Sequence, residues 1–420
     1  MSEQLAFSLT ERPGDDTRFN VDDMRLMIMM ASPRRVCSLA AGARRRRSAP
    51  YRRTLAALVE QRARKMKDTR ARRRLFWALG ELHAGLDQLW KAADFYARAA
   101  DDLEGQADGL ALACVRARIV CLARLGCRTQ VATECNRFHS LAYAYPSLVG
   151  ARLERDLADR LVSMGLVREA LPGYLASSNY FRWAGRPRCA ASSLLLCAQG
   201  EILLSSTVDT LDKLTMASRH YEMMDDEQGI ARADLLRSEL FKQQGRPEEQ
   251  LRAARKAFTV LARSGDPYLV AAALANRADA EARLGDTRER DRHYLQTFRL
   301  LVATAANDRD DAARWMVRLQ AAELRLEYVD HLVSDDDSYS KAIDEAERAV
   351  RDLRSLKDLG ARQLVRALDS IGRARRALEG SVRRICDPGP SDSPVPRGSR
   401  LLPIDSPALL IHLGVCMDPN

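Results

Sequence analysis

A short turn recurs about every 40 residues along most of this chain, and it constrains the fold more than any other feature of the sequence. Each turn lies between two stretches whose apolar residues have the spacing of amphipathic helices. The turns, at successive spacings of 39, 39, about 40, about 40 and 40 residues, fall at Asp87, Gly126, Gly165, Ser205–Ser206, Gly245 and Gly285. Glycine accepts the positive φ angle that ends many helices, so the pattern predicts helix hairpins copied along the chain. A hairpin of this size buries its apolar face only against its neighbours, which predicts an all-α stack of six or seven units.

The residues that follow the turns also align. A glutamate recurs four positions after the glycine at Glu169, Glu249 and Glu289, in the first turn of the next helix, where the helix dipole favours an anion. A seventh hairpin is predicted within residues 312–380, with an Arg-rich helix from about 361 to 385 as a cap. Strands have little support, because no stretch alternates apolar and polar residues with β-branched side chains.

The net charge of +10 is not spread evenly. Residues 24–74 hold 17 Lys and Arg against two acids, whereas residues 75–420 hold 48 basic and 49 acidic residues. Because residues 1–50 combine prolines and glycines with many like charges, we predict a disordered, basic N-terminal arm there. The helical stack, with a capping helix at each end, is expected over residues 51–385.

The arm is a candidate site for a polyanion, whether nucleic acid, anionic lipid or an acidic partner. The arginines expected to make these contacts are Arg44, Arg45, Arg46, Arg47, Arg52 and Arg53. The alternative is a solvated tail without a ligand. Within Arg44–Arg47 and the basic helix that follows, Tyr51 is the one aromatic residue that can stack on a base, which weakens the nucleic-acid hypothesis.

The cysteines and the chain ends bear on compartment and organisation. The nine cysteines are an odd number, and most lie inside apolar helical patterns, which favours reduced, buried thiols and a cytoplasmic protein. No apolar run reaches the roughly 18 residues that span a bilayer. If translation starts at Met24 instead of Met1, the Arg-rich start resembles a transit peptide. Residues 386–420 are predicted to be a Pro-rich linker and tail, in which residues 408–417 form an edge strand, a docked tail or the stub of a missing domain.

The sequence carries no catalytic motif that we recognise. No histidines have metal-binding spacing, and no phosphate-binding loop, dinucleotide fingerprint or nucleophile elbow occurs. Cys121, Cys127, Cys135 and His139 are spaced by 6, 8 and 4 residues, which matches no compact zinc site, so buried thiols are the better interpretation. The acidic run Asp335–Asp337 lacks the closing glutamate of a calcium loop. We therefore predict a protein that is not an enzyme and that uses no cofactor or metal.

The first unit resembles a tetratricopeptide repeat (TPR). That family places a bulky residue ahead of Leu-Gly on its first helix, and alanines around an aromatic residue on its second. These positions are filled here by Phe76, Leu79, Gly80, His83, Ala92, Tyr96 and Ala99. The third unit keeps Leu157, Ala158, Gly165, Ala170 and Tyr174.

The chain also departs from the TPR pattern. Arg237 and Arg277 stand where the family has leucine, and Gln250 and Arg290 replace the alanine of the second helix. The pitch is about 40 residues instead of 34. These longer units resemble the TPR-like arrays of bacterial signalling proteins, ATPase-linked regulators and cell-polarity adaptors.

The resemblance implies a right-handed α-solenoid whose first helices line a concave groove for a peptide or helix of a partner protein. The candidates that face this groove are Arg74, Trp77, Glu81, Arg116, Arg152, Arg155 and Asp159. Arginines there can hold a carboxylate by forked hydrogen bonds, and the alternative is that all seven are ordinary solvated residues of amphipathic helices.

We therefore interpret the chain as a scaffold or adaptor that binds another protein. A first alternative is the regulatory half of a larger signalling enzyme or transcription regulator whose effector domain is absent. The reason for this hypothesis is that only a short tail follows the Pro-rich linker. A second, weaker alternative is nucleic-acid or acidic-partner binding through the basic N-terminus. The sequence does not identify the partner or the oligomeric state.

Overall fold

The chain folds into helices joined by turns. The computed structural model describes residues 21–46, 48–101, 109–307, 311–335, 338–354 and 361–386. No strand occurs among these residues, so the prediction of an all-α chain is confirmed. The chain divides into two compact units, the first ending at Arg186 and the second beginning at Pro187.

The described part of the first unit contains nine helices. They are α1 (Val21–Met30), α2 (Pro33–Arg46), α3 (Ala49–Lys65), α4 (Thr69–Gly85), α5 (Leu89–Asp101), α6 (Gly109–Arg124), α7 (Arg128–Ala142), α8 (Ser147–Ser163) and α9 (Val167–Trp183). The pairs α4–α5, α6–α7 and α8–α9 are the first three predicted hairpins, and the helices of each pair pack against each other.

The described part of the second unit also contains nine helices. They are α10 (Pro187–Leu203), α11 (Thr210–Glu222), α12 (Glu227–Gln243), α13 (Pro247–Leu261), α14 (Pro267–Arg283), α15 (Thr287–Asn307), α16 (Asp311–Val333), α17 (Tyr339–Arg354) and α18 (Ala361–Cys386). Pairs α10–α11 to α16–α17 are the remaining four hairpins, and α18 packs on α17 as the predicted final helix.

Left-handed residues form the turns. Positive φ angles occur at Asp87, Gly126, Gly165, Gly185, Ser205, Asp225, Gly245, Gly265 and Gly285. After Gly165, the N–H of Leu166 donates to the carbonyl oxygen of Leu161 at 2.9 Å, the hydrogen bond that closes a helix C-terminus of this kind. All six predicted turns are therefore confirmed. Three further left-handed residues were not predicted: Gly185, Asp225 and Gly265 lie between α9 and α10, α11 and α12, and α13 and α14, so that between Gly165 and Gly285 the interval is 20 residues.

Gly80 allows the two helices of the first hairpin to approach closely. A Cβ atom at this position would lie 2.5 Å from Cε1 of Tyr96, whose ring lies against the backbone of α4. Tyr96 is 1% exposed. Gly80 and Tyr96 are both among the residues that fill the TPR pattern in the first unit.

The N-terminal segment differs from the prediction. Residues 21–46 form α1 and α2 instead of a disordered arm, so the prediction is wrong for this part. The reason is an apolar stripe hidden among the arginines: Met24 and Ile28 are spaced by four residues, and Val36, Ala40 and Ala43 follow the same helical period. All five are buried in a core shared with α3, α4 and α5. Residues 1–20 and Arg47 lie outside the described residues.

The cores of the second unit pass from one hairpin to the next. Leu235 of α12 and Leu261 of α13 share a core with Leu269, which belongs to α14 of the next hairpin. Tyr294 of α15 and Tyr328 of α16 likewise stack across two hairpins, with ring centroids 4.7 Å apart. A hairpin in this unit completes its core only with its neighbour.

The predicted linker and tail over residues 386–420, with the apolar run 408–417, lie outside the described residues except for Cys386, the last residue of α18. Among the helices that the structure describes, none combines the length and apolarity needed to cross a bilayer.

Candidate functional site

The seven candidate groove residues lie on α4, α6 and α8, the first helices of three successive hairpins of the first unit. Arg74 and Trp77 are half-buried on α4. The backbone carbonyl of Arg74 accepts a hydrogen bond from Sγ of Cys37 on α2 at 3.1 Å. This end of α4 is therefore partly covered by the N-terminal helices, which the sequence did not predict.

Glu81 is held by partners within the chain. The hydroxyl of Tyr96 donates to Oε1 of Glu81 at 2.6 Å, and Nη1 of Arg44 donates to Oε2 at 2.8 Å. The Glu81 carboxylate thus joins α2, α4 and α5. Its first role is structural, because a partner protein that bound it would have to compete with both bonds.

The other predicted residues come together on α6 and α8. Nη1 of Arg116 on α6 bonds Oδ2 of Asp156 on α8 at 2.6 Å. One turn earlier on α8, Arg152 is exposed. Arg155 pairs with Asp159 at 3.3 Å on the same helix. We call these five residues the α6–α8 face.

A hydrogen bond between a tyrosine and an acid fifteen residues earlier supports this face. The hydroxyl of Tyr174 on α9 donates to Oδ1 of Asp159 at 2.8 Å, as the hydroxyl of Tyr96 does to Glu81. The guanidinium carbon of Arg155 lies 5.7 Å from the centre of the Tyr174 ring. In both of these hairpins, the hydrogen bond fixes the second helix against the first.

The same spacing occurs in the second unit, where Asp279 and Tyr294 have a different arrangement. Asp279 is 1% exposed on α14 and is surrounded by nitrogen-bearing side chains from three first helices. Its carboxylate lies 3.7 Å from Nζ of Lys242 on α12, 3.1 Å from Nε of Arg283 and 3.1 Å from Nε2 of His331 on α16. The Tyr294 hydroxyl is buried and has no hydrogen-bond partner among the described residues.

Lys242 links this cluster to a third hairpin, because its ammonium also forms an ion pair with Glu327 of α16. Burial by itself would raise the pKa of Asp279, but Lys242, His331 and Arg283 outweigh burial and hold the pKa well below its usual value. We call Lys242, Asp279, Arg283, Glu327 and His331 the Asp279 cluster. It stabilises the contact between α12, α14 and α16.

The Asp279 cluster has the donor set of a metal site but already contains a cation. Ligand atoms of Asp279, Glu327 and His331 lie within 4.8 Å of one another, which suits a divalent transition metal. Lys242 lies against both carboxylates, however. Burial would lower the pKa of Lys242, but Glu327 and Asp279 raise it, so the ammonium stays protonated and supplies the charge that a metal would bring. We therefore interpret the cluster as structural.

The sequence contained a signal for this polar core, namely the departures from the TPR pattern. Gln250, in place of the family's alanine, is fully buried and donates to Oδ2 of Asp279 at 2.9 Å. Arg290, the second such departure, is 2% exposed and binds Asp291 at 2.8 Å and Asp335 at 2.5 Å. A polar residue where the repeat requires a small apolar one thus marks a buried polar contact.

A second buried acid, Glu281, lies on α14 between Asp279 and Arg283 of the cluster. Nδ1 of His293 lies 2.6 Å from Oε2 of Glu281, and Nε of Arg277 lies 2.9 Å from Oε1. Burial would raise the pKa of Glu281, but these hydrogen bonds lower it below its usual value. Arg277 stands where the family has leucine and is the partner that this buried acid requires.

Two of the cysteines considered as a zinc set, Cys121 and Cys135, are not activated thiols. Burial raises the pKa of Cys121 to about 11 and that of Cys135 to about 12, so both stay protonated at neutral pH. Nδ1 of His139 lies 2.7 Å from Oε2 of the buried Glu154. The interpretation as buried structural thiols therefore fits the environment of Cys121 and Cys135.

Of the arginines predicted to contact a polyanion, two hold helices together and one is exposed. Arg44 binds Glu81, and Arg52 donates to the carbonyl oxygens of Gly85 and, at 3.4 Å, Arg44, so both attach the N-terminal helices to α4. Arg53 is exposed. The side chains of Arg45 and Arg46, and the whole of Arg47, lie outside the described residues.

Neither a family model nor a curated protein matches the sequence. The chain is similar in structure to a tetratricopeptide repeat protein from Parabacteroides merdae, with 15% identity over 70% of this chain and 98% of that one and a TM-score of 0.39. It is also similar to aspartyl phosphate phosphatase F from Bacillus subtilis (11% identity, 90% and 97% coverage, TM-score 0.40) and to yeast Tom70 (14%, 92% and 71%, 0.37). The description of the chain as repeated helix hairpins rests on its own helices and turns.

Proposed function

We propose that this chain is a scaffold that binds a partner protein along the α6–α8 face of its first unit. The supporting observation is a contrast between two sets of first-helix side chains. In the second unit, Asp279 is buried, the side chains of Lys242 and Glu327 are only 15% and 14% exposed, and Lys242 pairs with both carboxylates. On α8, Arg152 is exposed and the Asp159 side chain is 51% exposed, so both are accessible to a partner.

The α6–α8 face offers arginines that can exchange their present partners. The side chains of Arg116 and Asp156 are 34% and 41% exposed, and an ion pair this open contributes about 1 kcal/mol or less. An incoming carboxylate can replace Asp156 at small cost and gain a forked hydrogen bond from the guanidinium. A helix or extended peptide with acidic side chains fits this chemistry best.

Selection from a displayed peptide library on the immobilised full chain tests the proposal. Peptides selected on the wild type should bind Arg152→Glu at least about tenfold more weakly, because one attractive charge becomes repulsive. Arg128→Glu is the matched control, since Arg128 is equally exposed but begins a second helix, α7. Circular dichroism should show both variants folded. Peptides that bind both variants as tightly as the wild type, or a selection without binders, would contradict binding at this face.

A further inference from the structure

Exposed cations collect on one edge of the first unit, where α1 meets α2 and α3 meets α4. Arg34 and Arg35 lie in the first turn of α2, Lys65 ends α3, Lys67 lies in the following turn and Arg70 lies in the first turn of α4. All five side chains are exposed. We call them the basic edge. They differ from the arginines that the sequence singled out, two of which bind α4.

Two sets of contacts bring these turns together. Nη1 of Arg62 near the end of α3 donates to the carbonyl oxygens of Ile28 and, at 2.7 Å, Ala31, so the end of α3 lies against the α1–α2 turn. The hydrogen bond from Cys37 to the carbonyl oxygen of Arg74 joins α2 and α4 one turn inside their N-termini. The first turns of these helices therefore lie side by side.

Among the described residues, no ion pair neutralises the five cations of the basic edge. Glu60 and Asp68 are the only acids in residues 24–74. Glu60 pairs with Arg64 at 2.7 Å, and the Asp68 carboxylate accepts the backbone N–H of Arg70 at 2.9 Å as the N-cap of α4. The N-termini of α2 and α4 add the positive ends of two helix dipoles to the same edge.

Apolar side chains lie directly beside these cations. Leu26, Met29 and Met30 at the end of α1 are 56%, 46% and 69% exposed. The one aromatic residue in residues 24–74, Tyr51, is buried, so within this described segment no exposed ring is offered on which a base can stack. Cations next to flexible apolar side chains fit an anionic lipid surface better than a nucleic acid.

We propose that the basic edge binds an anionic membrane surface. Its lysines and arginines contact the lipid phosphates, while Met29 and Met30 enter the headgroup region. The proposal goes beyond protein binding on the α6–α8 face and does not depend on it, because no residue is shared between the two surfaces. It implies a scaffold that is held at a membrane while its groove face stays accessible.

Cosedimentation of the full chain with vesicles tests the proposal. We expect binding to phosphatidylcholine vesicles that contain phosphatidylglycerol at about 7:3, loss of that binding at high salt, and none to phosphatidylcholine alone. Arg35→Gln/Lys65→Gln/Lys67→Gln should bind about a hundredfold more weakly, since each cation near an anionic surface contributes roughly fivefold. The matched control is Lys91→Gln/Arg128→Gln/Arg168→Gln. It removes three exposed charges at the starts of α5, α7 and α9, at the opposite ends of the hairpins, and should bind like the wild type.

A second variant distinguishes binding to a membrane from binding to other polyanions. Met29→Gln/Met30→Gln should weaken vesicle binding but leave retention on heparin unchanged, because heparin offers no apolar layer. Equal losses in the two charge variants would overturn the assignment to this edge. Two results would contradict membrane binding. One is binding of a DNA oligonucleotide without binding to anionic vesicles, and the other is unaltered vesicle binding of the methionine variant.

Discussion

At the scale of single residues, this chain depends on a few positions where a side chain of the wrong size or charge cannot be accommodated. Gly80 permits the Tyr96 ring to lie on α4, and Lys242 balances the carboxylates of the buried Asp279 and the half-buried Glu327. Both are replaceable by mutation without changing the helical pattern, so their contributions can be measured separately from helix propensity.

Gly80→Ala should destabilise the first unit by about 1–3 kcal/mol, because the new methyl group overlaps the Tyr96 ring. Gly42→Ala is the control. Gly42 also lies within a helix, but a Cβ atom there has no neighbour within 4 Å, so this variant should gain roughly 0.5–1 kcal/mol. Urea unfolding followed by circular dichroism compares them. Equal midpoints for the two variants would show that the close approach is not what Gly80 provides.

Lys242→Met should cost about 3 kcal/mol, because it leaves the buried Asp279 and the half-buried Glu327 without their ammonium partner. Lys91→Met, which removes an exposed lysine, should change stability by less than about 0.5 kcal/mol. The double variant Lys242→Met/Glu327→Gln should recover part of the loss in the same unfolding assay. If Lys242→Met is as stable as Lys91→Met, the Asp279 cluster contributes nothing to the second unit.

At the scale of elements, the 40-residue pitch follows from helix length. Helices α8, α9, α10, α12 and α14 each have 17 residues. Two such helices with two three-residue turns make the observed repeat, as in residues 147–186. The turns are therefore as regular as the helices, and their left-handed residues should each have a measurable effect.

Ser205→Gly should raise stability by about 1 kcal/mol, because Ser205 has a φ of 52° in an exposed turn, where a Cβ atom costs energy that glycine avoids. The reverse change at the equivalent turn, Gly245→Ser, should lower stability by a similar amount, since Gly245 has a φ of 68°. Thermal unfolding of the two variants should shift in opposite directions. Shifts of the same sign would contradict the role assigned to the left-handed residues.

The buried acids should make the second unit sensitive to acid. Lowered pKa values of Glu281, Asp279 and Asp291 stabilise the folded state at pH values above the unfolded-state pKa near 4. That stabilisation is lost as the pH falls through the lower, folded-state values. We expect the urea midpoint to be nearly constant from pH 7 to 5 and to fall below about pH 4. Glu281→Gln should be less stable at pH 7 and show a shallower decline on acidification, whereas an unchanged slope would contradict this account.

At the scale of the whole molecule, the hairpins could be predicted because they follow local sequence patterns. Contacts between residues far apart in the sequence could not be predicted. The turns could be placed because a left-handed conformation restricts the residue type at a single position. The helices of residues 21–46 were missed because their apolar stripe is thin and lies among arginines, whose charge suggested disorder. The Asp279 cluster was missed because Lys242 and Glu327 are 85 residues apart and meet only through the stacking of α12, α14 and α16. Among the groove candidates, the partners of Glu81 could not be foreseen for the same reason.

The central claim is that a hairpin of this chain is stable only against its neighbours. Circular dichroism of the isolated α12–α13 hairpin, residues 227–261, beside the intact chain tests it most directly. The core of this hairpin is completed by Leu269 and Ala273 of α14, so the peptide should show weak helicity and no cooperative melting, while the intact chain melts cooperatively. A peptide that melts cooperatively near the temperature of the intact chain would contradict the claim.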